Sequence, residues 1–189
     1  MKRIDTSLPD VCVIEPSVFE DERGFFLESY HEMKFEALGI RDRFVQDNHS
    51  RSIANTLRGL HYQVKAPQAK LCRVVQGEVL DVVVDIRRGS PYFGKWESRV
   101  LSADNKRQMY VPPGFAHGYV VLTETAEFLY KCSDFYRPEF ERGVAWNDPD
   151  IGIRWGIETP ILSAKDRRNP PLADIALAEL PEYKQLQQS

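Results

Sequence analysis

Residues 112–117 read Pro112-Pro113-Gly114-Phe115-Ala116-His117, a turn followed by the start of an apolar segment that carries a histidine. A second histidine lies in a similar setting, in Arg58-Gly59-Leu60-His61-Tyr62-Gln63. The chain contains only four histidines. Two of them in strand-like segments indicate either metal ligands or acid–base groups, and the choice between these roles decides the function.

The remaining pattern is that of an all-β protein. Period-two alternation of apolar residues predicts six strands: Leu71–Val75, Val79–Ile86, Ser98–Leu101, Gln108–Val111, Gly118–Leu122 and Glu127–Ser133. Helices are predicted only at Tyr30–Leu38, ended by Gly39 in the left-handed conformation, and at Leu172–Leu180. Many short strands separated by turns indicate a sandwich or a barrel.

Length and charge narrow the class of protein. A chain of 189 residues with 42% hydrophobic residues predicts one domain over residues 1–189, with a frayed end at 184–189. The net charge of −3 argues against a nucleic-acid partner. No apolar run is long enough to span a membrane, and the polar start Met1–Asp5 is not typical of a signal peptide.

Three widely spaced cysteines lie among apolar residues: Cys12, Cys72 and Cys132. Their spacing is not that of a CxxC zinc or redox motif, so they are predicted to be reduced, buried thiols. We therefore expect a cytoplasmic protein.

The segment Pro112–His117 fits P-x-G-x-x-H, the second half of the cupin signature, and predicts a double-stranded β-helix, the cupin-like jelly-roll barrel, with few short helices. The first half of the signature should supply a His-x-His pair, but in His61-Tyr62-Gln63 the second histidine is replaced by Gln63. Val121 stands where the signature has Asn. A transition-metal site needs about three N, O or S ligands. The sequence therefore predicts no metal.

Other polar residues favour an anionic ligand. Four arginines lie in or beside β segments: Arg23, Arg51, Arg58 and Arg73. Guanidinium groups there are typical of phosphate or diphosphate binding.

Alternation in the strand Glu127–Ser133 places Phe128, Tyr130 and Cys132 on one face, which we expect to point inward. An inward tyrosine hydroxyl needs a polar partner, which is either a ligand or a backbone carbonyl.

Over nearly its whole length the chain resembles the dTDP-4-dehydrorhamnose 3,5-epimerases. The matching blocks are Asp21–Glu28, Val45–Ser50, Leu57–Gln63, Gly77–Arg87, Pro112–Gly118, Glu127–Lys131, Trp146–Pro149 and Leu162–Asp166. Many ordered blocks are more specific than half of a cupin signature.

The resemblance implies a homodimer that exchanges an N-terminal strand, and an epimerase that uses no metal and no cofactor. It implies that His61 is the general base, Asp166 orients it, Tyr130 donates the proton on the opposite face, and Lys70 stabilises the enolate. It also implies a set of contacts to a dTDP-linked 4-keto-6-deoxyhexose: Arg23, Glu28, Gln46, Asn48, Arg58, His117, Tyr136, Glu141 and Lys165.

These residue types suit that reaction. A ketone at C4 acidifies the protons at C3 and C5, because either carbanion delocalises into an enolate. Inversion then needs a base on one face and an acid on the other. A histidine, with a pKa of about 6.5 in water, is a suitable base near neutral pH, and a cation such as Lys70 stabilises the charge that develops on the enolate oxygen.

Several alternatives stay open. Related enzymes invert only C3 or only C5, or shift the ketone, and many family members carry Gln-Gly-Lys where this chain has Gln68-Ala69-Lys70. A rival interpretation is a non-catalytic or metal-dependent cupin that binds a small anion.

The geometry of one strand is also open, because strict alternation puts Arg58 and His61 on opposite faces. Either Gly59 marks a bulge, or Arg58 acts at a dimer interface.

Overall fold

The computed structural model describes residues 1–183, so the predicted frayed end at 184–189 lies outside the described residues. Its strands are β1 (Lys2–Asp5), β2 (Cys12–Glu15), β3 (Val18–Asp21), β4 (Gly24–Leu27), β5 (Gln46–Ile53), β6 (Leu57–Gln63), β7 (Lys70–Gln76), β8 (Glu78–Asp85), β9 (Trp96–Ser102), β10 (Gln108–Val111), β11 (Phe115–Val121), β12 (Thr125–Cys132) and β13 (Glu141–Gly143). The α-helix is α1 (Glu32–Ala37). Short 3-10 helices lie at Pro138–Phe140, Asp166–Arg168, Leu172–Asp174 and Leu177–Glu179.

Two antiparallel sheets form the body of the protein. One has six strands in the order β1-β2-β10-β7-β12-β5, and the other has five in the order β13-β6-β11-β8-β9. Their inner faces share one apolar core, in which the rings of Tyr119 on β11 and Phe128 on β12 stack with centroids 4.1 Å apart. This arrangement confirms the predicted jelly roll, and the six predicted strands all occur.

A second apolar layer covers the outer face of the five-stranded sheet. Trp155, Leu172, Ile175 and Leu180 from the C-terminal part of the chain pack there against Val82, Val84 and Val120. The helix predicted at Leu172–Leu180 is wrong, because this segment forms two separate 3-10 turns. Its apolar residues are spaced to cover a sheet, and that packing outweighs local helix propensity.

The first predicted helix is confirmed in a shorter form, since α1 covers Glu32–Ala37 and Gly39 has a φ of 85°. The three cysteines are free and buried, as predicted. Within residues 1–183, no helix is long and apolar enough to cross a membrane.

The strands β3 and β4 form a hairpin that, among the described strands, pairs only with itself. Its aromatic side chains are exposed: Phe19 by 65%, Phe25 by 60% and Phe26 by 70%. Three exposed phenylalanines on one hairpin are typical of a surface that another molecule covers.

Candidate active site

A cavity of about 470 Å³ opens between the two sheets. Eleven of the thirteen residues that the sequence singled out as site residues line it: Gln46, Asn48, Arg58, His61, Lys70, His117, Tyr130, Tyr136, Glu141, Lys165 and Asp166. They come from both sheets and from the segments that follow β12 and β13. Residues far apart in the sequence therefore meet in one place.

A bulge in β6 brings Arg58 and His61 to the same cavity. In the pairing with β11, Tyr119 lies opposite Arg58 and His117 opposite His61, so that two residues of β6 face the single residue Gly118. Gly59 has a φ of 128°, and a Cβ there would lie 2.5 Å from the Gly118 Cα. Only glycine fits this approach. Of the two alternatives drawn from the sequence, the bulge is confirmed.

His61 and Asp166 form a close pair on the wall of the five-stranded sheet. The Nε2 of His61 lies 2.5 Å from an Asp166 carboxylate oxygen, and the Asp166 side chain is only 4% exposed. The other ring nitrogen, Nδ1, lies 3.9 Å from a carboxylate oxygen of Glu141. The carboxylate of Asp166 therefore fixes the orientation of the imidazole and leaves Nδ1 as the nitrogen without a short hydrogen bond.

Both carboxylates beside His61 favour the ionised form. Burial raises the pKa of Asp166, but the hydrogen bond and charge of His61 and hydrogen bonds from Ser163 and Gly59 outweigh it, so that the pKa is lowered. Burial likewise raises the pKa of Glu141, and hydrogen bonds from Lys165 and Tyr136 lower it below its usual value. Two ionised carboxylates therefore lie beside the imidazole of His61.

Tyr130 and Lys70 lie on the opposite wall, on neighbouring strands of the six-stranded sheet. The face shared by Phe128, Tyr130 and Cys132 points into the cavity, as predicted. Burial raises the pKa of the Tyr130 phenol, which keeps its proton on the oxygen at neutral pH. The ammonium of Lys70 lies 5.9 Å from the centre of the Tyr130 ring.

Two of the cations in the cavity have no carboxylate partner within the described part of the chain. Arg58 donates a hydrogen bond from Nε to the Ser52 hydroxyl, 3.1 Å away, and Lys70 makes no ion pair. Lys165, by contrast, pairs with Glu141, which also accepts a hydrogen bond of 2.6 Å from the Tyr136 hydroxyl. Positive groups that lack a protein anion favour an anionic ligand.

Glutamine side chains hold the segment that carries Tyr136. The Gln46 carbonyl oxygen accepts the Tyr136 N–H at 2.9 Å, and the Gln63 carbonyl oxygen accepts the Arg137 N–H at 2.7 Å. The Gln63 amide also donates to the Ala66 carbonyl at 2.7 Å. Gln63 stands where a cupin would have a metal ligand. In this protein its side chain instead bonds to backbone groups and connects the loop after β6 to the loop after β12.

His117 lines the cavity, and its Nε2 lies 2.9 Å from the buried carboxylate of Asp81. The sequence did not single out Asp81, because it stands in the apolar run Val79–Ile86. A carboxylate inside a strand that is buried on both faces was the signal that could have identified it.

Two predicted site residues do not line the cavity. Arg23 lies on the exposed β3–β4 hairpin and pairs with Asp21 at 2.5 Å, and Glu28 follows that hairpin and pairs with Lys34 at 2.7 Å. Nor does the cavity include the other two arginines that suggested a phosphorylated ligand, Arg51 and Arg73. Arg73 lies on the outer face of its strand, since its neighbours Cys72 and Val74 point into the core.

The comparisons with known proteins agree on a family. The family model for dTDP-4-dehydrorhamnose 3,5-epimerase matches residues 5–174. The dTDP-4-dehydrorhamnose 3,5-epimerase of Pseudomonas aeruginosa is 57% identical over 176 residues, which cover 92% of this chain and 97% of that protein.

Solved structures give the same result. The crystal structure of the 3,5-epimerase of Legionella pneumophila in complex with dTDP-4-keto-L-rhamnose matches with a TM-score of 0.95 and 49% identity, covering 97% of this chain and 99% of that one. A more distant match is a 3'-monoepimerase from Streptomyces bikiniensis in complex with dTDP-quinovose, with a TM-score of 0.88, 37% identity, and coverage of 94% and 92%. This chain belongs to the dTDP-4-dehydrorhamnose 3,5-epimerase family.

Proposed function

We propose that this protein converts dTDP-4-dehydro-6-deoxy-D-glucose to dTDP-4-dehydro-L-rhamnose by inverting C3 and C5, without a cofactor. The observation that carries the proposal is the placement of a histidine–carboxylate pair and a tyrosine on opposite walls of one cavity, in a chain of this family. Inversion at carbon needs a base and an acid on opposite faces of the substrate.

In the proposed reaction, Nδ1 of His61 removes the proton next to the C4 ketone, since Nε2 is engaged by Asp166. The electron pair of the C–H bond moves into the enolate, and the imidazolium that forms is stabilised by Asp166 and Glu141. The Tyr130 hydroxyl then gives its proton to the other face of the same carbon. The two steps together change the configuration and leave the composition of the sugar unchanged.

Lys70 is the proposed partner of the enolate oxygen. It lies beside Tyr130 and has no carboxylate partner within residues 1–183, so its charge is available to the substrate. A fixed cation where negative charge develops stabilises the transition state more than the ground state.

The nucleotide part of the substrate accounts for the remaining polar residues. Arg58 and His117 are proposed to contact the diphosphate, and the Tyr136 ring to stack on the base. Gln46, Asn48, Glu141 and Lys165 are proposed as hydrogen-bonding contacts to the nucleotide and the sugar. Guanidinium groups bind phosphate oxygens in two-point contacts, which favours Arg58 for the diphosphate.

We further infer a homodimer. Arg23 and Glu28 do not line the cavity of their own subunit, and the hairpin beside them exposes three phenylalanines. A second copy would cover these rings and could bring Arg23 and Glu28 to the partner's substrate.

The free, buried cysteines favour a reducing compartment such as the cytoplasm.

Proton NMR of the enzyme with dTDP-4-keto-6-deoxyglucose in deuterated water tests the reaction, because it follows exchange at C3 and C5 separately. We expect deuterium at both carbons and the L-rhamno product. Exchange and inversion at C3 alone would instead identify a monoepimerase like the Streptomyces bikiniensis protein, which has the same fold. Binding of the nucleotide without exchange at either carbon would favour a non-catalytic cupin.

A further inference from the structure

Beside the cavity, three potential metal ligands from three strands meet in the core: Cys72 on β7, Asp81 on β8 and His117 on β11. One ligand atom of each residue lies within 4.8 Å of the others. The His117 Nε2 is 2.9 Å from an Asp81 oxygen and 3.8 Å from the Cys72 sulfur. Cys72 and Asp81 are fully buried, and His117 is 6% exposed where it lines the cavity.

We propose that Cys72, Asp81 and His117 form an inhibitory binding site for a thiophilic divalent cation of the zinc class. This ligand set differs from the one that the cupin signature supplies, since Gln63 is held by backbone groups and Val121 has no donor atom. The sequence predicts no metal, on the ground that Gln63 and Val121 replace cupin ligands, and the present proposal departs from that prediction.

The spacing of the donor atoms suits a tetrahedral ion. Zinc binds sulfur at about 2.3 Å, imidazole nitrogen at about 2.0 Å and carboxylate oxygen at about 2.0–2.2 Å. From these bond lengths, ligand atoms in a tetrahedral site lie about 3.3–3.6 Å apart. The observed separations of 2.9 and 3.8 Å from Nε2 bracket this range, so small side-chain shifts would complete three corners of the site.

The charges also balance. On binding, the S–H bond of Cys72 gives its proton to solvent as the metal–sulfur bond forms. The proton that His117 Nε2 donates to Asp81 passes by way of solvent to Nδ1, so that the Nε2 lone pair can bind the ion. A divalent cation with one thiolate and one carboxylate forms a neutral buried site, which avoids the cost of an unpaired internal charge.

Inhibition follows from the position of His117. Its ring lines the cavity that holds the proposed substrate contacts, so coordination fixes the imidazole in an orientation chosen by the metal. This consequence rests on the proposed function, whereas binding of the cation does not. Because Cys72 and Asp81 are fully buried, we expect the cation to bind slowly, after a local opening at His117.

Titration with Co²⁺ tests the site without any measurement of activity. The native protein should develop a sulfur-to-cobalt charge-transfer absorption in the near ultraviolet and release at least one proton per ion. Cys72→Val should lose that absorption, while the control Cys12→Val, which changes a buried thiol in another part of the core, should keep it. Cys72→Ser and Asp81→Asn serve as second variants if Cys72→Val does not fold.

The activity arm uses zinc. Native enzyme treated with a chelator should be active. It should lose activity slowly when Zn²⁺ is added and regain it with EDTA. Cys72→Val should keep its activity when Zn²⁺ is added. The proposal is overturned if native protein shows no thiolate–cobalt band at millimolar Co²⁺, or if the band survives in Cys72→Val. A preparation with the cobalt band but no epimerase activity would overturn the proposed function and leave the metal site standing.

Discussion

His61 and Tyr130 line one cavity from opposite sheets, His61 on β6 of the five-stranded sheet and Tyr130 on β12 of the six-stranded sheet. A sugar ring between them would present one face to the imidazole and the other to the phenol. This opposition is what separates an inverting site from a simple proton-exchange site, and it can be tested residue by residue.

Tyr130→Phe should separate exchange from inversion. The ring stays, so the core should hold, and only the proton of the hydroxyl is lost. In deuterated water we expect the ratio of deuterium exchange to inversion to rise, with inversion about 10²–10⁴-fold slower, as is usual for loss of a general acid. NMR measures both rates, and Tyr92→Phe outside the cavity is the control. Native inversion without excess exchange would make Tyr130 a core residue only.

His61→Ala should abolish exchange at both carbons, because one base is proposed to serve both. Asp166→Ala should be milder, since the imidazole remains but loses the hydrogen bond that orients it. The control is His31→Ala, which changes a histidine at the start of α1, away from the cavity. Exchange at C3 or C5 at the native rate in His61→Ala would require a second base.

Arg58→Ala should weaken substrate binding much more than folding. A charge-assisted hydrogen bond is worth about 1.5–3 kcal/mol, so the dissociation constant for thymidine diphosphate should rise by about ten- to a hundredfold. Calorimetric titration measures this change. Arg51→Ala, an exposed arginine on β5 that does not line the cavity, should bind like the native protein. Equal binding by folded Arg58→Ala would remove Arg58 from the site.

Gln63→Glu should raise KM and leave kcat close to native. The carboxylate still accepts the Arg137 N–H but faces the Ala66 carbonyl with an oxygen, so the loop after β6 loses one of the two bonds by which Gln63 connects it to the loop that carries Tyr136. Loss of this partly buried hydrogen bond should raise KM by about tenfold. Gln76→Glu, at an exposed position on β7, is the matched control. A large fall in kcat with unchanged KM would contradict a role in positioning Tyr136.

The contribution of Asp166 to stability should depend on pH in one direction. The pKa of Asp166 is lower in the folded protein than in the unfolded chain, where it is about 3.9. The ionised carboxylate therefore stabilises the fold at pH values above the unfolded-state pKa. That stabilisation is lost as the pH falls through the lowered folded-state pKa. Urea unfolding should show Asp166→Asn less stable than native at pH 7, on the order of 1–3 kcal/mol. The difference should shrink in acid. Asp104→Asn, at an exposed position, should show no such dependence.

Local patterns were sufficient for much of the fold. Alternation in β7 and β12 identified strands because a buried sheet face selects apolar side chains at every second residue. The same alternation placed Tyr130 on the inner face. β8 was identified by the apolar run Val79–Ile86, because both faces of that strand are buried. The helix prediction failed at Leu172–Leu180. The apolar spacing there looked helical, but it arises because these residues pack on a sheet formed by distant parts of the chain.

The sequence by itself determined the jelly roll, the inward face of β12, the family resemblance and most of the residues that line the cavity. Only the tertiary structure decided that Arg58 and His61 share a face, because the bulge depends on the contact between Gly59 and Gly118 in another strand. Only the tertiary structure decided which carboxylates pair with His61 and His117. Asp166 is 105 residues from His61 and Asp81 is 36 residues from His117. No local period encodes such pairs, because Asp81 meets His117 only when β8 and β11 pair in the sheet, and Asp166 meets His61 only when a distant 3-10 helix packs beside β6.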